Sequence, residues 1–148
     1  MRLIGAAALA LLLALPAGAA QAAPICHASV SMVDFGRVDY DEGGDITGRL
    51  TITCDGPTSF EVEASSGYGS YDRRFMRGPK GTVLYYNLYV DPARRRVWGD
   101  GEASGTARIA GQSDGRKPRD FTIYGRIPDR QPVRSGSYSD AVKVSVAR

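Results

Sequence analysis

The fold of this chain is indicated by its final stretch, Ser139-Asp140-Ala141-Val142-Lys143-Val144-Ser145-Val146-Ala147-Arg148. Val142, Val144 and Val146 alternate with polar residues, and this period of two predicts a strand with one buried face. The sequence stops directly after this strand, so we expect no later segment to cover the free edge of the strand. How that edge is completed is therefore the main functional question.

Residues 1–22 have the three parts of a secretory signal peptide. Arg2 precedes an apolar run from Leu3 to Leu15, and the small-residue triplet Ala20-Gln21-Ala22 follows the run. The apolar run is too short to span a bilayer comfortably. We therefore expect cleavage after the triplet or a few positions earlier, export of residues 23–148 as one domain, and no membrane anchor.

Composition favours one domain rich in turns. The chain has 148 residues, of which 43% are hydrophobic, and this is enough for one core. Its 18 Gly and 8 Pro are spread along the sequence, which predicts many turns and few helices. The formal net charge of +3 is too small to indicate a nucleic-acid partner.

Basic residues form two local clusters. They are Arg94-Arg95-Arg96 and the group of Arg73, Arg74, Arg77 and Lys80. We interpret both clusters as solvated loops and protected sheet edges. An anionic surface or a polysaccharide as partner is the alternative.

Alternating apolar residues predict six or seven short strands. The clearest segments are Cys26 to Met32, Asp45 to Cys54, Phe60 to Ala64, Leu84 to Asp91, Phe121 to Ile127 and the terminal stretch. Turn-forming residues separate these segments, and Ser65 to Thr82 and Gly105 to Lys117 are predicted to be loops or weak strands. This pattern is typical of an immunoglobulin-like antiparallel β-sandwich.

The two cysteines occupy inward-facing positions of the first two predicted strands. Cys26 shares its face with Val30 and Met32, and Cys54 ends the inward face of the second strand. Two such cysteines in an exported chain predict a disulfide, and two buried free thiols are the alternative. A metal site is not expected, because the single histidine, His27, points away from Cys26 in a regular strand.

Three aromatic residues are a candidate surface contact. Tyr85 and Tyr89 share the outer face of the fourth predicted strand, and Trp98 follows the arginine run. Exposed together, they would form a carbohydrate-binding platform. We favour packing instead, with the tyrosines in cross-strand pairs and Trp98 over a core edge, and the platform is the alternative. The sequence has no set of metal ligands and no nucleophile beside a base, so we expect no catalysis and no cofactor.

Several motifs follow one another along the expected exported chain. They are Cys26 with Phe35-Gly36; Gly48 to Cys54; Gly67, Gly69 and Arg74-Phe75-Met76; Tyr86-Asn87-Leu88-Tyr89 with Asp91; Trp98-Gly99-Asp100-Gly101; Tyr124-Gly125-Arg126-Ile127-Pro128; and Gly136-Ser137-Tyr138-Ser139-Asp140. In this order they resemble the spore coat protein U domain family, which also supplies subunits of archaic chaperone-usher pili.

The resemblance implies a sandwich that lacks its seventh strand, with a disulfide between Cys26 and Cys54. It also implies donor-strand complementation, in which a periplasmic chaperone and then a neighbouring subunit supply a strand beside the last one. The implied partners are this chaperone, an outer-membrane usher and other pilus or coat subunits. The implied location is the periplasm in transit and then the cell surface.

We expect the missing strand to leave an apolar groove. Its expected lining is Val30, Met32, Val142, Val144 and Val146. Exposing about 400 Å² of apolar groove would cost about 10 kcal/mol, comparable with the whole stability of a domain, about 5 to 15 kcal/mol. An inserted strand would satisfy both the backbone edges and the side-chain face.

The segment before the first cysteine departs from the polymerising members of the family. Those members carry an alternating donor strand there, whereas only Ala23-Pro24-Ile25 remain here after the expected cleavage. We therefore expect a subunit that accepts a strand but donates none, at a chain end such as a tip. The alternative is a self-complete secreted carbohydrate-binding or spore-coat module.

Overall fold

The computed structural model describes residues 20–31, 33–39 and 41–148. Residues 1–19 of the expected signal peptide and Met32 of the expected groove lie outside the described residues. The strands are β1 Cys26–Val30, β2 Gly44–Cys54, β3 Pro57–Ala64, β4 Arg74–Arg77, β5 Val83–Tyr89, β6 Val97–Trp98, β7 Thr106–Ala107, β8 Ile109–Asp114, β9 Arg119–Ile127 and β10 Val144–Ala147. A short 3₁₀ turn, Pro79–Gly81, lies between β4 and β5.

These strands form two sheets, as the alternating pattern predicts. The larger sheet has the order β1-β2-β9-β5-β6-β7, with β4 paired to β5, and the smaller sheet has the order β10-β3-β8. All pairs are antiparallel except β6 with β7. The predicted antiparallel β-sandwich is confirmed.

The core lies between the inward faces of the two sheets. Leu50 and Ile52 of β2 and Ile123 of β9 have no exposed surface, and they share one cluster with Phe60 and Val62 of β3. Burying a side chain of this size contributes about 1.5 to 3 kcal/mol. Alternation along β2, β3 and β9 therefore places their apolar side chains in the core of the sandwich.

Strand β8 was only weakly indicated by the sequence, because Gly111 occupies one of its inward positions. The rings of Phe60 and Phe121 pack edge to face with their centroids 6.0 Å apart. A Cβ atom at Gly111 would lie 2.7 Å from the Phe60 ring and 2.9 Å from the Phe121 ring. The glycine that weakens the strand pattern thus makes room for an aromatic pair.

Three other short strands were indicated weakly or not at all by the sequence, and the last strand is shorter than predicted. Strands β6 and β7 have two residues each, which is too short for an alternating pattern. Strand β4 lies within the segment predicted as a loop or weak edge strand. Strand β10 begins only at Val144, so Val142 lies before it.

Arg74 is buried, contrary to its interpretation as part of a solvated basic cluster. Its side chain has no exposed surface, and its guanidinium donates to Asn87 Oδ1 at 2.6 Å, to the Ser65 carbonyl at 2.6 Å and to the Trp98 carbonyl at 2.7 Å. Burial lowers the pKa of this guanidinium. Arg74 thus joins β4 to β5, to β6 and to the segment that follows β3.

Arg94 is also fixed within the fold, whereas its neighbours Arg95 and Arg96 are exposed. The backbone of Arg94 has a positive φ of 54°, and its guanidinium donates to the carbonyls of Gly125 at 3.2 Å and Ile46 at 3.4 Å. The solvated interpretation of the arginine run therefore fails for its first residue.

Candidate functional site

The candidate site lies where the free edges of the two sheets approach each other. Strand β1 ends the larger sheet and pairs only with β2, and β10 ends the smaller sheet and pairs only with β3. Strands β1 and β10 lie close together, but no ladder of hydrogen bonds joins these two described segments. We call the space between β1 and β10 the seam.

The inward face of β1 is open to solvent. Ala28 pairs in register with Ile52, and Val30 pairs with Leu50, so each pair points to the same side of the sheet. Leu50 and Ile52 are fully buried, yet Ala28 is exposed and Val30 has 37% of its surface exposed. Apolar side chains that face the interior are therefore uncovered on the β1 side of the seam.

The opposite side of the seam carries three valines. Val144 and Val146 of β10 pair with Ala64 and Val62, which are 1% and 0% exposed. Both β10 valines and Val142, just before the strand, are only half-buried against the core. The described residues of the expected groove thus lie on the two facing edges, with the valines of β10 better covered than Val30.

The expected disulfide is present and fastens the start of β1. Cys26 and Cys54 are cross-strand partners, and their sulfur atoms are bonded across a sequence separation of 28 residues. Pairing continues one residue further, because the Asp55 amide donates to the Ile25 carbonyl at 3.0 Å. The Arg148 guanidinium donates to the Pro24 carbonyl and connects the two ends of the described chain.

The lead-in to β10 is held by Asp140, a residue that the sequence analysis assigned only to a motif. Its carboxylate accepts hydrogen bonds from the Tyr86 hydroxyl at 2.7 Å and from the Tyr68 amide at 3.0 Å. Burial, and then this bond to Asp140, raise the pKa of Tyr86. The Ser65 amide donates to the Lys143 carbonyl at 2.8 Å. The segment 65–68 and the lead-in to β10 are therefore fixed to each other.

The three candidate aromatic contacts do not form one surface. Trp98 is only 1% exposed, and its indole N–H donates to the Val62 carbonyl at 3.1 Å. Its ring fills the core edge, as the packing interpretation expects, and its polar atom has a buried partner, so Trp98 is not a surface contact. Tyr85 is half-buried and contacts Phe75 and Arg73, whereas Tyr89 pairs in register with Tyr124.

Neither a metal cluster nor a membrane-spanning helix is found where the structure describes the chain. No group of three or more His, Cys, Asp or Glu side chains is placed to hold a metal ion within residues 20–31, 33–39 and 41–148. In the same residues, no helix has the length and apolar character that crossing a membrane requires.

Comparison with models of known protein families identifies the family of this chain. The model of the Spore Coat Protein U domain matches residues 11–145. The chain belongs to this family. The resemblance drawn from the sequence motifs is thereby confirmed. A search of curated proteins finds no match to this Spore Coat Protein U domain chain.

A solved structure supports the fold of this Spore Coat Protein U domain. The match is a chain in the crystal structure of the CsuC-CsuE chaperone-tip adhesion subunit pre-assembly complex from archaic chaperone-usher Csu pili of Acinetobacter baumannii. It has a TM-score of 0.62 and 21% sequence identity, and covers 83% of this chain and 39% of that chain. Our chain thus spans less than half the length of the chain it matches. At this identity the likeness shows the fold, which agrees with the predicted immunoglobulin-like sandwich.

Proposed function

We propose that this Spore Coat Protein U domain protein is an exported structural subunit of a chaperone-usher pilus or coat, and that it accepts a donor strand in the seam. The observation that carries this proposal is Val30, which faces inward beside fully buried Leu50 and is still 37% exposed. A self-complete module would be expected to cover such a side chain. The uncovered face therefore favours an acceptor subunit over a self-complete carbohydrate-binding or coat module.

One added strand would complete both sheets at once. Strands β1 and β10 each have one paired neighbour, so an extended segment inserted between them would hydrogen-bond to β1 on one side and to β10 on the other. Parts of β1 and β10 now lie within 8 Å of each other, so the two edges must separate to about 9.5 Å to admit this strand. Because side chains alternate along a strand, every second residue of the donor would face the core. We expect apolar donor residues at these positions, in contact with Val30, Val144 and Val146.

The proposed partners are a periplasmic chaperone first and another subunit afterwards, with an outer-membrane usher at the site of assembly. Family membership supports a pilus or coat subunit. The similar solved structure is a complex between a chaperone and a tip adhesion subunit, which supports a chaperone as the first occupant of the seam. The role is structural rather than catalytic, because uncovered strand edges bind a strand and carry no reactive group.

We also propose a position at the end of a chain of subunits. Ile25 is paired with Asp55 of its own domain, and the Pro24 carbonyl accepts from Arg148. The residues directly before Cys26 are thus hydrogen-bonded to their own domain and are not available for insertion into a neighbouring subunit. Electrophoresis of unboiled fibres would test this position. A complex in which the N-terminal segment of this protein is inserted into a neighbour would contradict it.

The acceptor role is tested by supplying the strand within the same chain. The variant carries a tight turn after Arg148 and then a strand of alternating apolar and polar residues, which is able to fold back beside β10. Its control has the same composition with the apolar residues moved by one position, so that they face solvent. Both proteins are produced in the periplasm with the disulfide intact and compared with the unmodified chain.

We expect the matched strand to raise the midpoint of thermal unfolding by about 10 °C or more, which corresponds to about 2 to 3 kcal/mol in a domain of this size. The shifted strand should leave the midpoint nearly unchanged. If the unmodified protein unfolds cooperatively as a monomer and both extensions have the same small effect, the seam is not an acceptor groove and the proposal fails.

A further inference from the structure

A second surface feature lies on the outer face of β4 and of Arg73, the residue directly before it. Arg73, Phe75 and Arg77 point outward because side chains alternate along a strand, whereas Arg74 and Met76 between them are buried. Strand β4 pairs with β5, and β5 is separated from β1 by β9 and β2 in the larger sheet. This outer face therefore does not adjoin β1, whereas the Arg77 backbone exchanges two hydrogen bonds with Ser139, in the segment that leads into β10.

Two tyrosines extend the outward face of β4 into a continuous row. The Arg77 guanidinium lies 4.0 Å from the Tyr68 ring centroid, and the Tyr68 and Phe75 centroids are 6.4 Å apart. Phe75 and Tyr85 meet edge to face at 6.4 Å, and the Arg73 guanidinium lies 4.2 Å from the Tyr85 centroid. We call Arg77, Tyr68, Phe75, Tyr85 and Arg73 the arginine-aromatic row.

The row carries exposed guanidinium groups at both ends. Within the described part of the chain, the guanidinium groups of Arg73 and Arg77 have neither a hydrogen bond nor an ion pair, whereas that of Arg74 has three acceptors. Stacking on a ring orients a guanidinium and leaves the N–H groups at its edge directed to solvent. Such an edge is suited to bidentate binding of a carboxylate.

The aromatic rings in the middle of the row are partly accessible to solvent. Tyr68 has 44% of its surface exposed, and Phe75 and Tyr85 are half-buried beside it. Aromatic rings of this kind contact the apolar faces of sugar rings. The Asp140 carboxylate holds the Tyr68 backbone amide at 3.0 Å, so the segment carrying this ring is positioned in advance.

We propose that the arginine-aromatic row binds an acidic polysaccharide, a polymer with carboxylates on successive sugar rings. Arg73, directly before β4, and Arg77, at its end, lie four residues apart on one face of this extended segment, which places their backbones about 13 Å apart. Two carboxylates of one extended polymer would bind the two arginines, with sugar rings over Tyr68 and Phe75 between them. A nucleic acid is less suitable, because two arginines and a net charge of +3 do not make a basic stripe.

This inference does not depend on strand donation, so each proposal fails or holds separately. The test measures binding of polygalacturonate to the full exported protein by affinity electrophoresis, with neutral dextran as the uncharged polymer. The first variant is Arg73→Gln with Arg77→Gln. Its matched control is Arg95→Gln with Arg96→Gln, which removes the same charge from two exposed arginines that stack on no ring in the described chain. The second variant is Tyr68→Ala.

We expect the first variant to weaken binding about tenfold or more, because two charge-assisted contacts are lost. Tyr68→Ala should weaken binding about threefold to tenfold, and the control should change it less than about twofold. Unchanged thermal unfolding in all three variants verifies that the fold is retained.

Three results would overturn the proposal. One is failure of the unmodified protein to bind polygalacturonate at all, which would leave the row as packing. Another is an equal loss of binding in the control, which would indicate an unspecific charge effect. The third is tighter binding of a single-stranded DNA oligonucleotide that is lost in the first variant, which would assign the row to nucleic acid.

Discussion

Leu50 of β2 and Val30 of β1 lie opposite each other on neighbouring strands of the larger sheet. Leu50 is nevertheless completely buried, whereas Val30 is 37% exposed. Both are apolar, and both side chains point toward the interior. Strand β2, which carries Leu50, has a paired strand on each side, whereas β1 has a paired strand on one side only. Burial in this sandwich is therefore decided by the neighbouring strands as much as by the residue and its orientation.

The test with the largest expected effect shortens one side chain from the buried part and one from the exposed part of the same inward face. Ile52→Ala should lower the free energy of unfolding by about 4 kcal/mol, because a fully buried side chain leaves a cavity. Val30→Ala should lower it by less than about 1 kcal/mol, since its site is already in contact with water. Urea unfolding of the exported protein measures both values. Equal losses would mean that the seam is covered in solution.

The second test removes the covalent link that fastens β1. In Cys26→Ser with Cys54→Ser, the loss of a closure over 28 residues should lower the free energy of unfolding by about 3.5 kcal/mol on the chain-entropy model. Hydrogen exchange should show the additional opening mainly in β1, because this strand has only one paired neighbour. Opening that is equally large in β9 would contradict a special dependence of β1 on the disulfide.

The test with the smallest expected effect uses an ion pair between β2 and β9 on the outer face of the larger sheet. Asp45 of β2 accepts two hydrogen bonds from Arg126 of β9, at 2.7 and 2.8 Å, and lies 3.4 Å from Arg94. No ion pair joins β1 to β2 among the described residues. The hydrogen bond from Arg126 is the main cause that lowers the pKa of Asp45 below its usual value of 3.8. Exposed pairs of this kind contribute less than about 1 kcal/mol.

A carboxylate with a lowered pKa stabilises the folded state above its unfolded pKa, and this contribution is lost as the pH falls through the folded pKa. Asp45→Asn should therefore be slightly less stable than the unmodified protein at pH 7. The difference should decrease as the pH falls below about 4. Asp41→Asn, which changes an exposed carboxylate without an ion pair in the described chain, is the control. Thermal unfolding between pH 2 and pH 7 measures both, and a difference that grows in acid would contradict the assignment.

Local patterns predicted a large part of the fold. Alternation identified the inward faces of β2, β3, β5 and β9, and the inward positions of Cys26 and Cys54 predicted their disulfide. The family was identified from ordered motifs and is confirmed by the match over residues 11–145. These features could be predicted because each depends on the residue types and their spacing within one strand or one short motif.

Other features depended on contacts between distant segments. The cluster Arg73-Arg74 contains one exposed and one buried arginine, because adjacent residues of a strand point to opposite faces. The buried one is accommodated by Asn87 and by the carbonyls of Ser65 and Trp98, which lie 9 to 24 residues away. No local pattern indicates which of two arginines will find such partners.

The sequence by itself determined the all-β class, the face of each long strand and the cysteine pair, because alternation and residue chemistry are local properties of the chain. The tertiary structure decided that Trp98 is internal, that Val30 remains uncovered and that Tyr68 joins the arginine-aromatic row. The physical reason is strand order: which strands lie side by side determines whether an inward side chain is covered, and this order arises only when distant segments pair.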